Sequence, residues 1–167
     1  MSSTGAGRLR AVGLIAAVVA FVVDQADKFY MLQVYFPRHP PPVSFGPYFT
    51  FERQWNPGIS YSLLTASTPL GRFGLLALAF VATLALVIWL WRSTSVLTSL
   101  ALGLVIGGAM GNALDRTRYG AVADFFYVHV ASFSWYVFNL ADCAIVVGAA
   151  LLLYEALMSP APHAKVS

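Results

Sequence analysis

Residues 96–114 read VLTSLALGLVIGGAMGNAL, an unbroken run without a charge, followed at once by Asp115 and Arg116. About 20 mostly apolar residues span the hydrocarbon core of a bilayer as a helix. This run meets that length, so the chain is read first as a membrane protein. Working outward, three further spans are expected. Residues 73–91 are also uncharged; residues 11–33 carry Asp24, Asp27 and Lys28 in their last third; residues 136–157 contain Asp142 and Glu155. The composition agrees. The 167 residues are 59% hydrophobic and 10% charged, and the mean hydropathy is +0.72, whereas soluble domains are roughly 25% charged.

Several classes are excluded. High apolar content without a heptad or glycine repeat argues against disorder, collagen and coiled coil. The single cysteine, Cys143, rules out a disulfide scaffold and a cysteine-based zinc site. The net charge is +3, and the ten Lys and Arg are scattered singly or in pairs, so no nucleic-acid partner is expected. There is no metal-ligand spacing and no Ser-His-Asp or G-x-S-x-G pattern, so neither a metal nor a cofactor is expected. Arg8 and Arg10 precede an apolar stretch, as in a secretory signal peptide. That stretch ends in DQADK rather than a small-x-small cleavage site, which makes it an uncleaved first helix.

The segments between spans are uneven. Residues 92–95 form a short turn, while residues 34–70 and 115–135 are long and lie on the same side if there are four spans. VSFGPYFTFERQW and FFYVHVASFSWYVF place aromatic and β-branched residues in near alternation. They read as short strands forming an aromatic platform and lid at headgroup level. The expected fold is therefore integral membrane and mainly α: one unit over residues 1–167, four spans, a small β platform, and a frayed tail over residues 158–167. Gly103, Gly107 and Gly111, with Gly108 beside them, and Ala141, Ala144 and Gly148 on the fourth span suit close helix packing in lipid.

Five of the seven acids, Asp24, Asp27, Asp115, Asp124 and Asp142, lie in or beside the spans. A charge at the centre of a membrane helix costs about 2.5–3.5 kcal/mol on insertion scales, so such residues pair, face water or do chemistry. Their number points to a shared polar cavity. Asp24, Asp27 and Lys28 form one stripe, a neutralised cluster; Asp115 beside Arg116 reads as an ion pair. Asp124 and Asp142 have no adjacent base in sequence, and Asp142 is expected about six residues into a helix starting near Tyr136. Two carboxylates sharing a water suit general acid–base hydrolysis, because nearby like charges share one proton. Intramembrane carboxylates also serve proton-coupled transporters or tie helices together in a structural subunit, two alternatives that stay open at this point. His129 reads as interfacial, and Cys143 as an inert thiol in apolar surroundings.

Five short motifs stand in order between Asp24 and Asp142: DQADK (24–28), WNPGISYS (55–62), GNALDR (111–116), VADF (122–125) and FNLAD (138–142). Together they resemble those of the lipoprotein signal peptidases, intramembrane aspartic peptidases of bacteria. The resemblance implies a dyad of Asp124 and Asp142. It implies support of the site or of the substrate by Asn56, Asn112, Arg116, Asn139, Asp24, Lys28, Asp115 and Gly108. It further implies a lipid-modified prolipoprotein substrate cut before a diacylglyceryl cysteine, with membrane lipid as the surroundings; a monomer is expected. The place would be the bacterial inner membrane, with an outward-facing site and both termini cytoplasmic. The charge count does not supply that sidedness: four basic residues fall on the inner side of this topology and six on the outer.

Overall fold

A helix in lipid satisfies every backbone group internally, so apolar runs of this length become helices. The computed structural model describes residues 3–58, 69–130 and 133–158. Four helices long and apolar enough to cross a membrane are found among them. They are α1 (Ser3–Tyr30), continued by a π-helical turn (Met31–Tyr35), α2 (Pro69–Arg92), α3 (Val96–Tyr119) and α4 (Leu140–Met158). Strands β1 (Val43–Phe45), β2 (Phe49–Asn56), β3 (Val122–Val130) and β4 (Phe133–Ser134) form an antiparallel sheet in the order β1-β2-β3-β4. The aromatic alternation in both long segments thus does become strands. The expected tail and half of WNPGISYS fall outside the described residues.

Helix α3 is central and packs against α1, α2 and α4. Lipid tails are as apolar as leucine, so close contact rather than water exclusion holds such helices together. The glycines supply that contact. A side-chain carbon on Gly103 or Gly107 would strike the backbone oxygen of Gly13 or Ala17 on α1, and one on Gly108 would strike Ala141 on α4. Outward faces such as Val18, Phe80, Val81, Val146 and Leu153 are exposed, as lipid-facing residues are.

Two helix ends differ from expectation. Helix α3 continues past Leu114 to Tyr119 and stops at Gly120, whose φ of 78° favours glycine. Asp115 and Arg116 therefore sit on the helix, about 100° apart around it, and do not face each other. Helix α4 starts at Leu140 rather than near Tyr136. The residues before it belong to the sheet, where Phe138 bridges Phe126.

Gly107→Val should break the α1–α3 contact at a cost of roughly 1–3 kcal/mol, seen as a lowered unfolding temperature in detergent. The same change at Gly74, which has open space around it, should leave that temperature nearly unaltered.

Candidate active site

The start of α4 is a reciprocal cap. The Asn139 side chain accepts the Asp142 backbone N–H at 2.9 Å, and Asp142 Oδ2 accepts the Asn139 backbone N–H at 3.3 Å. This satisfies backbone donors that a helix N-terminus otherwise leaves bare. Asp142 is consequently the third residue of α4, in its first turn and not six residues deep. Asp124 comes from β3, opposite Gln54 of β2. Asn139 joins the two: its Nδ2 donates to Asp124 Oδ1 at 2.6 Å.

Asp124 and Asp142 line one cleft of about 580 Å³ together with Asn56, Asn112, Arg116 and Trp135. Asp124 is 2% exposed. Burial first, and then the negative charge of Asp142, push its carboxyl up from 3.8 to about 7, against opposing hydrogen bonds from Asn139 and Asn56. Arg116 brings a positive charge to both carboxylates. Its Nη2 donates to the Gly58 backbone oxygen at 2.9 Å, and the Gly58 N–H donates to Asn56 Oδ1 at 3.1 Å. Arg116 and Asn56 therefore tie the end of β2 to the cleft wall.

Behind the cleft lies a second group. Lys28 Nζ is 3.0 Å from Asp24 Oδ2 and 2.7 Å from Asp115 Oδ2. Asp115 thus pairs with Lys28 on α1, and among the described residues no ion pair joins it to Arg116. Gln25 Nε2 donates to Asp24 at 3.1 Å and to Asp115 at 3.2 Å. The two carboxylates also reach the backbone beside the cleft residues. Asp24 Oδ1 accepts the Ala141 N–H at 2.9 Å, and Asp115 Oδ2 accepts the Ala123 N–H at 3.2 Å. Each bond holds the residue just before Asp142 or Asp124.

The five acids therefore do not share one cavity. Asp124 and Asp142 face the cleft; Asp24 and Asp115 brace it from behind; Asp27 feels the charges of Asp24 and Lys28, and its Oδ2 is buried without a hydrogen bond. Gly108 packs on Ala141 and does not line the cleft. Gln25 and Gly111, which their spacing does not single out, also serve the brace. A side-chain carbon on Gly111 would strike the Asp24 carboxylate, so this glycine makes room for the brace. Gln25 stands in DQADK and Gly111 in GNALDR, the signal in the sequence that marks them. No group of three or more His, Cys, Asp or Glu suited to a metal ion occurs among the described residues.

Residues 16–158 match the family described as Signal peptidase (SPase) II. The chain belongs to that family. It is therefore a protease of a multi-pass bacterial membrane type. It is 53% identical over 150 residues to a lipoprotein signal peptidase of Methylocella silvestris, covering 90% of this chain and 88% of that relative. It is 51% identical over 161 residues to one of Beijerinckia indica, covering 93% and 96%. A solved structure described as a bacterial membrane enzyme, determined in meso at 2.3 Å resolution, superposes with a TM-score of 0.77. It covers 94% of this chain and 95% of its own at 20% identity, a likeness of fold alone.

A carboxyl raised by folding binds its proton more tightly in the native state. The stabilising contribution of Asp124 is therefore fully present below about 4 and is lost as pH rises through about 7. Thermal unfolding in detergent should accordingly show a midpoint that falls between pH 4 and pH 7. Asp124→Asn should flatten that slope, and an unchanged slope in the variant would contradict the assignment.

Proposed function

We propose that Asp124 and Asp142 are the catalytic dyad with which this peptidase removes the signal peptide from prolipoproteins, cutting just before a diacylglyceryl cysteine. The observation that carries the reading is the convergence of two carboxylates, from β3 and the first turn of α4, on one cleft with Asn139 between them. Identity of about half with lipoprotein signal peptidases over nearly the whole chain supports the substrate. Nothing in the family or the fold favours the proton-coupled transporter or the structural subunit.

The chemistry follows from two carboxyls sharing one proton. The ionised member takes a proton from a water held between them, and the water oxygen attacks the scissile carbonyl carbon. The protonated member gives its proton to the carbonyl oxygen. Collapse of the tetrahedral species breaks the C–N bond: the amine leaves with the proton taken from water, and one hydroxyl returns its proton to the other carboxylate, restoring the dyad. No covalent enzyme intermediate forms. Asn56 and Arg116 border the cleft and serve to hold the substrate backbone.

Placement supports a lipid-anchored substrate. Asp142 lies in the first turn of a span and Asp124 on a strand that adjoins it, at the level where a diacylglyceryl cysteine sits. Ile145 and Val146 carry the cleft wall toward the lipid-facing side of α4, so the acyl chains remain in the bilayer. The aromatic outer segments supply the platform and the lid that excludes water. Dyad and supports all come from one chain, acting as one unit over residues 1–167 and as a monomer. The enzyme lies in the inner membrane with the cleft outward. Four spans then put both termini in the cytoplasm.

Cleavage of a diacylglyceryl-modified precursor by the purified protein should fall by roughly 10²–10⁴-fold or more in Asp124→Asn and in Asp142→Asn, with folding retained. Processing by both variants at the unaltered rate would end the dyad reading. A reporter fused after Ser167 should report from the cytoplasm, and an external signal would overturn the stated orientation.

A further inference from the structure

Strand β2 changes face halfway along. Phe51 stands opposite Phe126 and Gln54 opposite Asp124, so three steps along β2 match two along β3. The extra residue makes a β-bulge at Glu52 and Arg53, and a bulge re-aims the side chains beyond it. Alternate residues of a strand point to opposite faces. Before the bulge, Phe49 and Phe51 pack ring against ring with Phe126. A regular strand would continue that face through Arg53 and Trp55. The bulge gives it to Gln54 and Asn56 instead. Trp55 turns to the other face and packs against Tyr119, with ring centroids 5.3 Å apart. The Asn56 side chain accordingly hydrogen-bonds Asp124.

Gln54 is therefore the cross-strand neighbour of Asp124 on the cleft face. Residues directly opposed in this way have Cβ atoms about 4.5–5.5 Å apart. Gln54 lines the cleft and is exposed in it. Two other amides of the cleft already hold protein groups. Asn112 Oδ1 faces Lys28 Nζ at 3.3 Å while its Nδ2 donates to Asp142 Oδ1 at 2.8 Å. Asn56 bonds Asp124 and accepts the Gly58 N–H at 3.1 Å. Among the described residues, no hydrogen bond engages the side-chain amide of Gln54.

Resting on the dyad reading, we propose that Gln54 binds the substrate backbone: its amide pairs with the peptide group next to the scissile one, while Asp124 meets the scissile carbonyl. A primary amide carries both a donor and an acceptor, the complement of one peptide group. Consecutive Cα atoms of a peptide are 3.8 Å apart, close to the separation of the two side chains. A chain laid across β2 and β3 thus brings neighbouring peptide groups to Gln54 and Asp124 together. The contact reads backbone and is indifferent to the substrate's side chains.

The test compares the full-length protein and Gln54→Met in detergent on a diacylglyceryl-modified precursor peptide. Methionine keeps the length of the side chain and loses both hydrogen-bonding groups. KM should rise roughly 3–10-fold, the worth of one or two hydrogen bonds, with kcat within about twofold, because the contact is made equally before and during reaction. Two further precursors carry an ester in place of the peptide group just before or just after the scissile one. One of them should lose about 3–10-fold in kcat/KM with the unaltered protein and much less with Gln54→Met, since the partner is already gone. A merely structural Gln54 would not tie its effect to one substrate atom group.

Equal losses in the two proteins for both ester precursors, or an unaltered KM in Gln54→Met, overturn the proposal. Where Gln54→Met does not fold, Gln54→Ala takes its place in the same comparison. Asp124→Asn and Asp142→Asn run alongside. Cleavage surviving in both sinks the dyad itself, whereas cleavage lost in both with equal ester losses sinks only the Gln54 contact.

Discussion

One ammonium group buried among membrane helices sets the terms for the rest of the molecule. Lys28 is 3% exposed, and its partners Asp24 and Asp115 are fully buried. Removing one member of such a buried pair leaves an uncompensated charge at a cost of about 3–5 kcal/mol. Where hydrocarbon surrounds the bundle, no water rescues it. The three groups are therefore held in one arrangement, and the elements carrying them are held too. Asp24 and Lys28 are on α1, Asp115 is on α3, and their remaining hydrogen bonds reach Ala141 on α4 and Ala123 on β3. Four elements are thus joined at one charged point.

The site is a consequence of that junction. The backbone anchored at Ala123 is followed directly by Asp124, and that anchored at Ala141 by Asp142. Two carboxylates brought together would repel and drift apart on flexible supports. Here one lies in a paired strand and the other is locked into a helix cap by Asn139. The brace draws on Gln25 and on the space left by Gly111. The helix packing by Gly103, Gly107 and Gly108 then keeps α1, α3 and α4 close enough for short polar side chains to meet. Packing in lipid and chemistry at the cleft share the same small residues.

Much of this was legible in the residues. Uncharged runs of membrane length announced the helices, and alternating aromatics announced strands. The isolation of Asp124 and Asp142 from any neighbouring base marked them as unusual. Adjacency in sequence suggests a pair of Asp115 with Arg116, yet adjacent residues on a helix diverge, and Lys28 lies eighty-seven positions away on another helix. Helix α4 starts four residues later than hydropathy suggests, because hydropathy does not register a cap. The aromatic residues just before Asn139 serve the sheet instead.

Hydrophobicity and spacing sufficed for the spans, for the strand-forming segments and for the inventory of acids that lipid makes costly. Those properties are local, since they depend on how each residue suits water or hydrocarbon and how neighbours repeat along the chain. Which acid pairs with Lys28, which way the Asn112 and Asn139 amides point, and which carboxyls share a cleft are matters of long-range geometry. They emerge only when α1, α3, α4 and β3 close around one another, because hydrogen-bond direction is set by partners that are remote in the chain.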